Sequence, residues 1–401
     1  MDACSDGERY YDSPALPAGH SYQTVALVLQ GGGALGAYQA GVFEGLAAAG
    51  LQPNWVAGIS IGALNAAIIA GNPPSRRVER LQEFWQTICR PPFFPPTPLG
   101  PLDVKDWPAS LAELMNGWEA WRAVTEGQNG FFLPRPPFTG GRAPGPDTAS
   151  YYDTAPLKAT LEFLVDFERI NDPGAMRVSV GAVNVRTGNF VYFDNTRERL
   201  RPEHFMASGA LPPGFPAVEI DGEFYWDGGV VSNTPLQYVL ATPPRRHSLV
   251  FQVDLWSARG DLPADLPEVM LRQKDIQYSS RTRTITDAMA HMQRQRRLLR
   301  ELMELVPETE HRNPWYRRAA EEACDRLFNV IHLIYRDKAC EGHYKDYQFG
   351  ALTMREHWKS GLADIGHTLD HPEWLEMPTP EQPFVTHDVH RAGLRHEEHG
   401  G

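Results

Sequence analysis

The sequence predicts an α/β fold, and two observations carry that prediction. Strand, tight glycine turn and helix follow one another twice between Val25 and Gly71. Further short apolar runs then recur between helical patterns as far as Leu255, the alternation expected of a sheet covered by helices.

The first unit runs from the apolar stretch Val25-Ala26-Leu27-Val28-Leu29 through Gln30-Gly31-Gly32-Gly33-Ala34-Leu35-Gly36 into a helix expected from Ala37 to Ala49, stopped by Gly50. Tyr38, Val42, Leu46 and Ala49 make one stripe of that helix, suited to packing on a sheet. In the second unit Trp55-Val56-Ala57 leads into Gly58-Ile59-Ser60-Ile61-Gly62, followed by a small-residue helix expected from Ala63 to Ala70, with Gly71 as its stop signal. A serine on a sharp strand-to-helix corner holds a strained backbone that crowds its neighbours, and Gly58 and Gly62 lack the Cβ atoms that would clash there. Such a corner lifts Ser60 Oγ clear of the sheet at the positive end of a helix dipole, which is where a nucleophile belongs. Chance occurrence of the pentapeptide in a glycine-rich chain is the competing explanation, and the strand before and helix after weigh against it.

A helix is expected next from Arg76 to Ile88, with Val78, Leu81, Trp85 and Ile88 on one side. The pattern then breaks. Pro91 to Pro101 and Phe131 to Pro146 are dense in Pro and Gly and bracket an amphipathic piece, Trp107 to Val124. This insertion, about 91–150, suits either a substrate-facing cap or a surface excursion without a catalytic role. Regular structure resumes with a helix from Ala155 to Phe167, and two strand-like runs, Arg177 to Asn184 and Asn189 to Phe193, meet at a Thr187-Gly188 turn. A short helix is expected from Glu203 to Ala210. Val218 to Trp226 alternates like a strand pair around Asp221-Gly222 and delivers the chain to Asp227-Gly228-Gly229. Thr234 is a candidate cap for a helix starting at Pro235, and Ser248 to Leu255 is another core strand.

Composition narrows the function. The net charge of −12 argues against general nucleic-acid binding. Cys4, Cys89, Cys324 and Cys340 have neither metal nor redox spacing, and Met1 to His20 is too polar for a signal peptide, so a cytoplasmic setting is expected. No charge falls between Glu44 and Arg76, yet Gly58, Ser60, Gly62 and Asn65 interrupt the apolar run, which fits a buried strand, turn and helix rather than a membrane span.

A serine hydroxyl needs a base within hydrogen-bond reach at neutral pH. Asp227 follows a strand and sits in a glycine turn like the one around Ser60, as residues gathered at one sheet edge do. In the alternative Ser/Asp/His order of the α/β-hydrolases a late histidine would be the base, and twelve of the 14 histidines follow Asp227, none with a motif around it.

Taken together, the glycine loop 30–36, the Gly58–Gly62 elbow and Asp227-Gly228-Gly229, supported by Ala207-Ser208-Gly209-Ala210-Leu211-Pro212 and Asn233-Thr234-Pro235, make the chain resemble the patatin-like phospholipases over about Val25 to Leu255. The resemblance implies a three-layer α/β/α sheet and a Ser-Asp dyad that hydrolyses acyl esters of lipids through an acyl-enzyme. It implies Ser60 as nucleophile, Asp227 as base and the amides of Gly31, Gly32 and Gly33 as oxyanion hole, with Gly36, Gly58, Gly62, Gly228 and Gly229 as motif glycines and no metal or organic cofactor. One position departs from the family pattern: Leu35 stands where many members carry Lys or Arg. The domain organisation expected is an arm (1–22), an acyl hydrolase domain (23–256) and a mainly helical C-terminal extension (257–401).

In that extension one long helix is expected from Leu271 to Leu305, carrying Arg281, Arg283, Arg294, Arg296, Arg297 and Arg300. A basic helix can meet anionic headgroups at a membrane surface; the plainer alternative is a solvated face paired with the chain's acids. Helices are also expected from Pro314 to Phe328 and Gly350 to Ile365, with a strand from Asn329 to Tyr335 that would return the extension to the core sheet. His367 and His371 have helical spacing but no third ligand, the mark of structural histidines rather than a metal site. Two other classes stay open beside the hydrolase. One is a lipid-binding or regulatory module of the same fold. The other is a dinucleotide site, for which Gly31-Gly32-Gly33 lacks the Gly-x-Gly-x-x-Gly register.

Overall fold

The structure, a computed structural model, describes residues 22–89, 117–118, 121–135, 145–279, 282–336 and 344–388. The expected arm up to residue 21, the Pro-rich run 91–101 and most of the amphipathic piece after it lie outside these residues. The strands are β1 (Thr24–Leu29), β2 (Trp55–Gly58), β3 (Leu133–Pro134), β4 (Tyr152–Asp153), β5 (Arg177–Asn184), β6 (Phe190–Asp194), β7 (Val218–Ile220), β8 (Glu223–Asp227), β9 (Ser248–Asp254), β10 (Phe328–Ile334) and β11 (Phe384–Asp388). The α-helices are α1 (Ala37–Ala48), α2 (Ile61–Ala70), α3 (Arg77–Ile88), α4 (Ala155–Leu164), α5 (Phe167–Ile170), α6 (Pro202–Ser208), α7 (Leu236–Ala241), α8 (Leu266–Tyr278), α9 (Thr282–Glu304), α10 (Pro314–Glu322) and α11 (Ala351–Leu369).

Nine strands form one mixed sheet in the order β11-β10-β9-β1-β2-β5-β8-β7, with β6 also on β5. The strands from β11 to β5 run parallel, while β6, β7 and β8 are antiparallel additions. Every residue of β1, β2, β5 and β9 is buried, which explains why these strands read as continuous apolar runs. Alternate side chains of β1 serve the two faces. Val25, Leu27 and Leu29 join the large core beneath α1, α2 and α3, whereas Ala26 and Val28 join a smaller core with Leu236 and Leu240 of α7 and Met289 of α9. These are the three layers expected.

The strand of the C-terminal extension does return to the sheet: β10 pairs in parallel with β9 from Phe328↔Ser248 to Ile334↔Asp254. Helix α11 lies on α1 at backbone contact. A Cβ at Gly41 would stand 2.0 Å from the carbonyl oxygen of Trp358, and one at Gly361 2.0 Å from that of Tyr38. Helix α1 is therefore enclosed on more than one side; Tyr38, Val42 and Leu46 are buried as expected, but Ala49, beyond the last turn, is exposed.

Several boundaries differ from the sequence reading. The single helix expected from Leu271 to Leu305 is two, α8 and α9, because Ser279 turns extended (ψ 143°). The carbonyl of Tyr278 then accepts from the side chains of Gln30 (3.2 Å) and Asn233 (3.0 Å) instead of a following helical amide. Helix α4 stops at Leu164, and Asp166 caps the separate turn α5 through the amides of Glu168 and Arg169. The helix from Pro314 ends at Glu322 rather than Phe328. Thr234 caps nothing; its hydroxyl accepts from Gln30 Nε2 at 3.0 Å. Asp221 (φ 52°) and Gly222 (φ 86°) form the expected tight hairpin turn, and Gly50 (φ 74°) ends α1. On α9, Arg296 and Arg297 pair with Glu322 and Glu301. No helix among the described residues is long and apolar enough to cross a membrane.

Candidate active site

The corner between β2 and α2 is built as the glycine spacing requires. Ser60, the N-cap of α2, has φ 55°, a conformation that non-glycine residues rarely adopt. A Cβ at Gly58 would lie 2.3 Å from the carbonyl oxygen of Gly62, and one at Gly62 2.4 Å from that of Leu29, so neither position has room for a side chain. The Ser60 amide donates to Ser208 Oγ and to the Ser208 carbonyl, both at 3.1 Å, and Ser208 Oγ in turn donates to Gly181 O at 2.7 Å. Those bonds hold the strained corner to β5 and the end of α6.

Sheet register brings Asp227 to the same edge. Gly58 pairs with Val180 of β5, and two residues further along β5 Ala182 pairs with Asp227 at the end of β8. Gly228 lets the chain turn close over β5, since a Cβ there would meet Gly181 O at 2.7 Å. Asp227 is 1% exposed; its carboxylate accepts from the Gly229 amide at 2.7 Å and has the Ser60 side chain beside it. Burial pushes its pKa up to about 7, against the opposing pull of the Ser60 hydroxyl and the Gly229 amide.

The glycine loop after β1 faces this pair. The Gly31 carbonyl accepts from Trp256 Nε1 (2.8 Å) and Asn233 Nδ2 (3.0 Å). In a planar trans peptide the N–H points opposite to the C=O, so the Gly32 amide is turned away from Trp256 and Asn233. The amides of Gly32 and Gly33 have no acceptor among the described residues, whereas that of Gly31, expected as a third donor, is engaged by Asn233 O at 3.3 Å. Gln30 anchors the loop from behind, accepting from the Trp256 amide at 3.0 Å. Gly33 (φ 56°) faces Asp346, whose carbonyl oxygen would lie 2.3 Å from a Cβ at that position. Gly36 packs on Ile61 and Trp85.

Ser60, Asp227, Gly31, Gly32, Gly33 and Gly229 line one pocket, which encloses about 680 Å³ of space partly open to solvent. Gly36, Gly58, Gly62 and Gly228 stand behind it as backbone supports. The rest of the lining is aromatic. Phe131, Phe132, Phe215 and Phe349 form a cluster of ring contacts with centroids 5.2–6.5 Å apart, while Trp256, Tyr278 and Tyr347 complete the wall. Part of the 91–150 insertion thus lines the pocket through Phe131 and Phe132. No histidine lines it among the described residues. His204 is engaged with the Arg201 amide (2.9 Å) and stacks edge-on against Phe193; His247 accepts from the Leu327 amide at the opposite end of β9. His367 and His371 are neighbours at 4.9 Å between ring centroids, beside Trp374, and no metal-binding cluster occurs among the described residues.

Sequence reasoning did not assign roles to Asn233, Trp256, Tyr278 or the 346–349 segment. Asn233 had a signal, since it opens the Asn-Thr-Pro motif. The others come from parts of the chain without motifs. A hydroxyl held against a buried carboxyl whose pKa lies near neutrality can be deprotonated as it attacks an electrophilic carbon, and a wall of aromatic rings suits an apolar substrate.

The family model described as patatin-like phospholipase matches residues 27–240, and a second, described as patatin phospholipase, matches 276–381. A solved structure, VipD from Legionella pneumophila, aligns at 14% identity over 90% of this chain and 71% of that one, with a TM-score of 0.37. No curated protein matches the chain.

Proposed function

The chain belongs to the patatin-like phospholipase family, and from that premise we propose that it is a lipid acyl hydrolase in which Ser60 is the nucleophile and Asp227 the base. As Ser60 Oγ attacks the ester carbonyl carbon, its proton passes to the Asp227 carboxylate. The carbonyl oxygen gains the negative charge and takes hydrogen bonds from the Gly32 and Gly33 amides, while Gly31 contributes through its carbonyl by fixing the Gly32 peptide. Collapse breaks the bond to the alkoxy group, which leaves as the alcohol with the proton from Asp227. Water then attacks the acyl-serine, its proton again passing to Asp227 and on to Ser60 Oγ, and the carboxylic acid departs. The aromatic wall takes the acyl chain. No residue role calls for a metal or cofactor.

The observation that carries this reading is the placement of Ser60 beside a buried carboxyl, its pKa pushed up to about 7, in the lining of an aromatic pocket. A fluorophosphonate probe tests it. The reading predicts a covalent adduct on the Ser60 peptide in mass spectra, lost in Ser60→Ala; an unlabelled native chain that also cleaves no ester would favour the lipid-binding alternative.

A further inference from the structure

Two consecutive residues of α8, Lys274 and Asp275, pair crosswise with two consecutive residues of the 344–349 segment. Lys274 Nζ lies 2.8 and 2.9 Å from the two carboxylate oxygens of Asp346, and Lys345 Nζ lies 2.7 Å from Asp275 Oδ1. The second pair is the deeper: Lys345 is fully buried and Asp275 is 6% exposed. The Lys345 ammonium also sits over the indole of Trp256, 4.9 Å from the ring centroid. That indole is the one whose N–H donates to the Gly31 carbonyl.

A buried ion pair is a poor way to gain stability, because an apolar pair of similar volume usually does as well or better. Its position suggests another use. A cation on the face of an indole draws electron density from the ring and strengthens the N–H as a donor. The N–H in question holds the carbonyl end of the peptide whose other end carries the amide of Gly32, a residue of the pocket lining. The same segment holds the other side of the loop, where the Asp346 carbonyl abuts Gly33.

We propose that Lys345 is a positioning residue: held by Asp275, its ammonium polarises Trp256 and so fixes the Gly31–Gly32 peptide that stabilises the oxyanion. This rests on the acyl hydrolase reading above. It makes the C-terminal segment part of the reaction's apparatus without contact with substrate.

The test is a double variant, Lys345→Met/Asp275→Asn, which removes both charges and leaves neither partner stranded. With circular dichroism and melting behaviour close to native, kcat should fall roughly 10- to 100-fold, below the loss for deleting an oxyanion donor outright. KM should stay within about twofold, and the Trp256 indole N–H should exchange with deuterium faster than in the native chain. Lys345→Arg, which keeps a cation on the ring, should retain most of kcat. A native kcat with native indole protection in the double variant would overturn the proposal, as would a raised KM with unchanged kcat, or an Arg variant as impaired as the double one. In the unaltered chain, the Trp256 indole must exchange far more slowly than that of exposed Trp315; equal rates would also overturn it. Failure of the hydrolase reading would look different: turnover in the native chain that survives Ser60→Ala.

Discussion

Ser60 stands beside Asp227 in one pocket wall, and Asp227 is a carboxylate almost wholly withdrawn from solvent that accepts from the Gly229 amide. The pairing arises from register: β2 and β8 both lie on β5, and their ends come within two residues of each other along it. Burial raises the carboxyl toward neutrality, which makes it a stronger base than an exposed aspartate while leaving it ionised over much of the physiological range.

The pH dependence follows from that shift. As the proposed base, Asp227 must be unprotonated to act, so kcat/KM should rise with pH, reach half its maximum at about 7 and level off above it. Stability should move the other way. With its folded pKa raised above the ordinary value of 3.8, Asp227 supports folding fully below about pH 4 and loses that contribution as pH rises toward 7. Asp227→Asn should therefore melt higher than the native chain at pH 8, and show less advantage at pH 5. Thermal melts of the two chains at both pH values check this.

The elbow glycines should tolerate nothing larger. In Gly62→Ala the added Cβ meets the backbone of Leu29 and Gln30, which cannot yield as a flexible side chain would. A cost of at least about 1–3 kcal/mol is expected, with loss of ester hydrolysis. Denaturant unfolding measures the first and a chromogenic ester the second.

Leu35 gives an outcome that differs from what the sequence suggests. It stands where many family members carry Lys or Arg, which invites replacement by that cation. Here it is fully buried in the main core, and Leu35→Arg would place a guanidinium among apolar side chains. Loss of about 3 kcal/mol or more is expected, whereas Leu35→Met should cost less than about 1.5 kcal/mol. Chemical denaturation of both variants distinguishes them.

The aromatic wall should set acyl preference. Phe349 is 4% exposed and touches both Phe131 and Phe132. Phe349→Ala should open the pocket, moving the preferred ester toward longer or bulkier acyl chains, at a stability cost of about 3–5 kcal/mol. A series of esters graded by acyl length, assayed at a temperature where the variant stays folded, measures the shift.

The parts of this molecule that were legible in the sequence are those where a local steric rule leaves a mark. Gly58 and Gly62 flank Ser60 because their Cβ atoms would strike the backbone, and Asp221-Gly222 supplies the two positive φ angles of its turn. The buried strands showed as apolar runs. What was not legible depends on partners far along the chain. Helix α8 ends at Tyr278 because the side chains of Gln30 and Asn233 claim its carbonyl, and nothing near Ser279 in sequence announces that. The enclosure of α1 by α11 rests on Gly41 and Gly361, two glycines that taken singly mark only weak helix positions. Lys345 and Asp346 look like a solvated charge pair until Asp275 and Lys274 are brought against them.

The identity of the base decides the account, and ester hydrolysis by Asp227→Asn measures it most directly. An amide cannot take the serine proton at neutral pH, so the folded variant should lose about 10³-fold or more in kcat. Ser60→Ala/Asp227→Asn should be little worse than either single variant, since the two residues act as one unit, and replacement of His204, His247 or any later histidine should leave hydrolysis dependent on Asp227. If Asp227→Asn keeps most of its activity while one of those histidines proves indispensable, the Ser-Asp dyad is contradicted and a histidine-based triad takes its place.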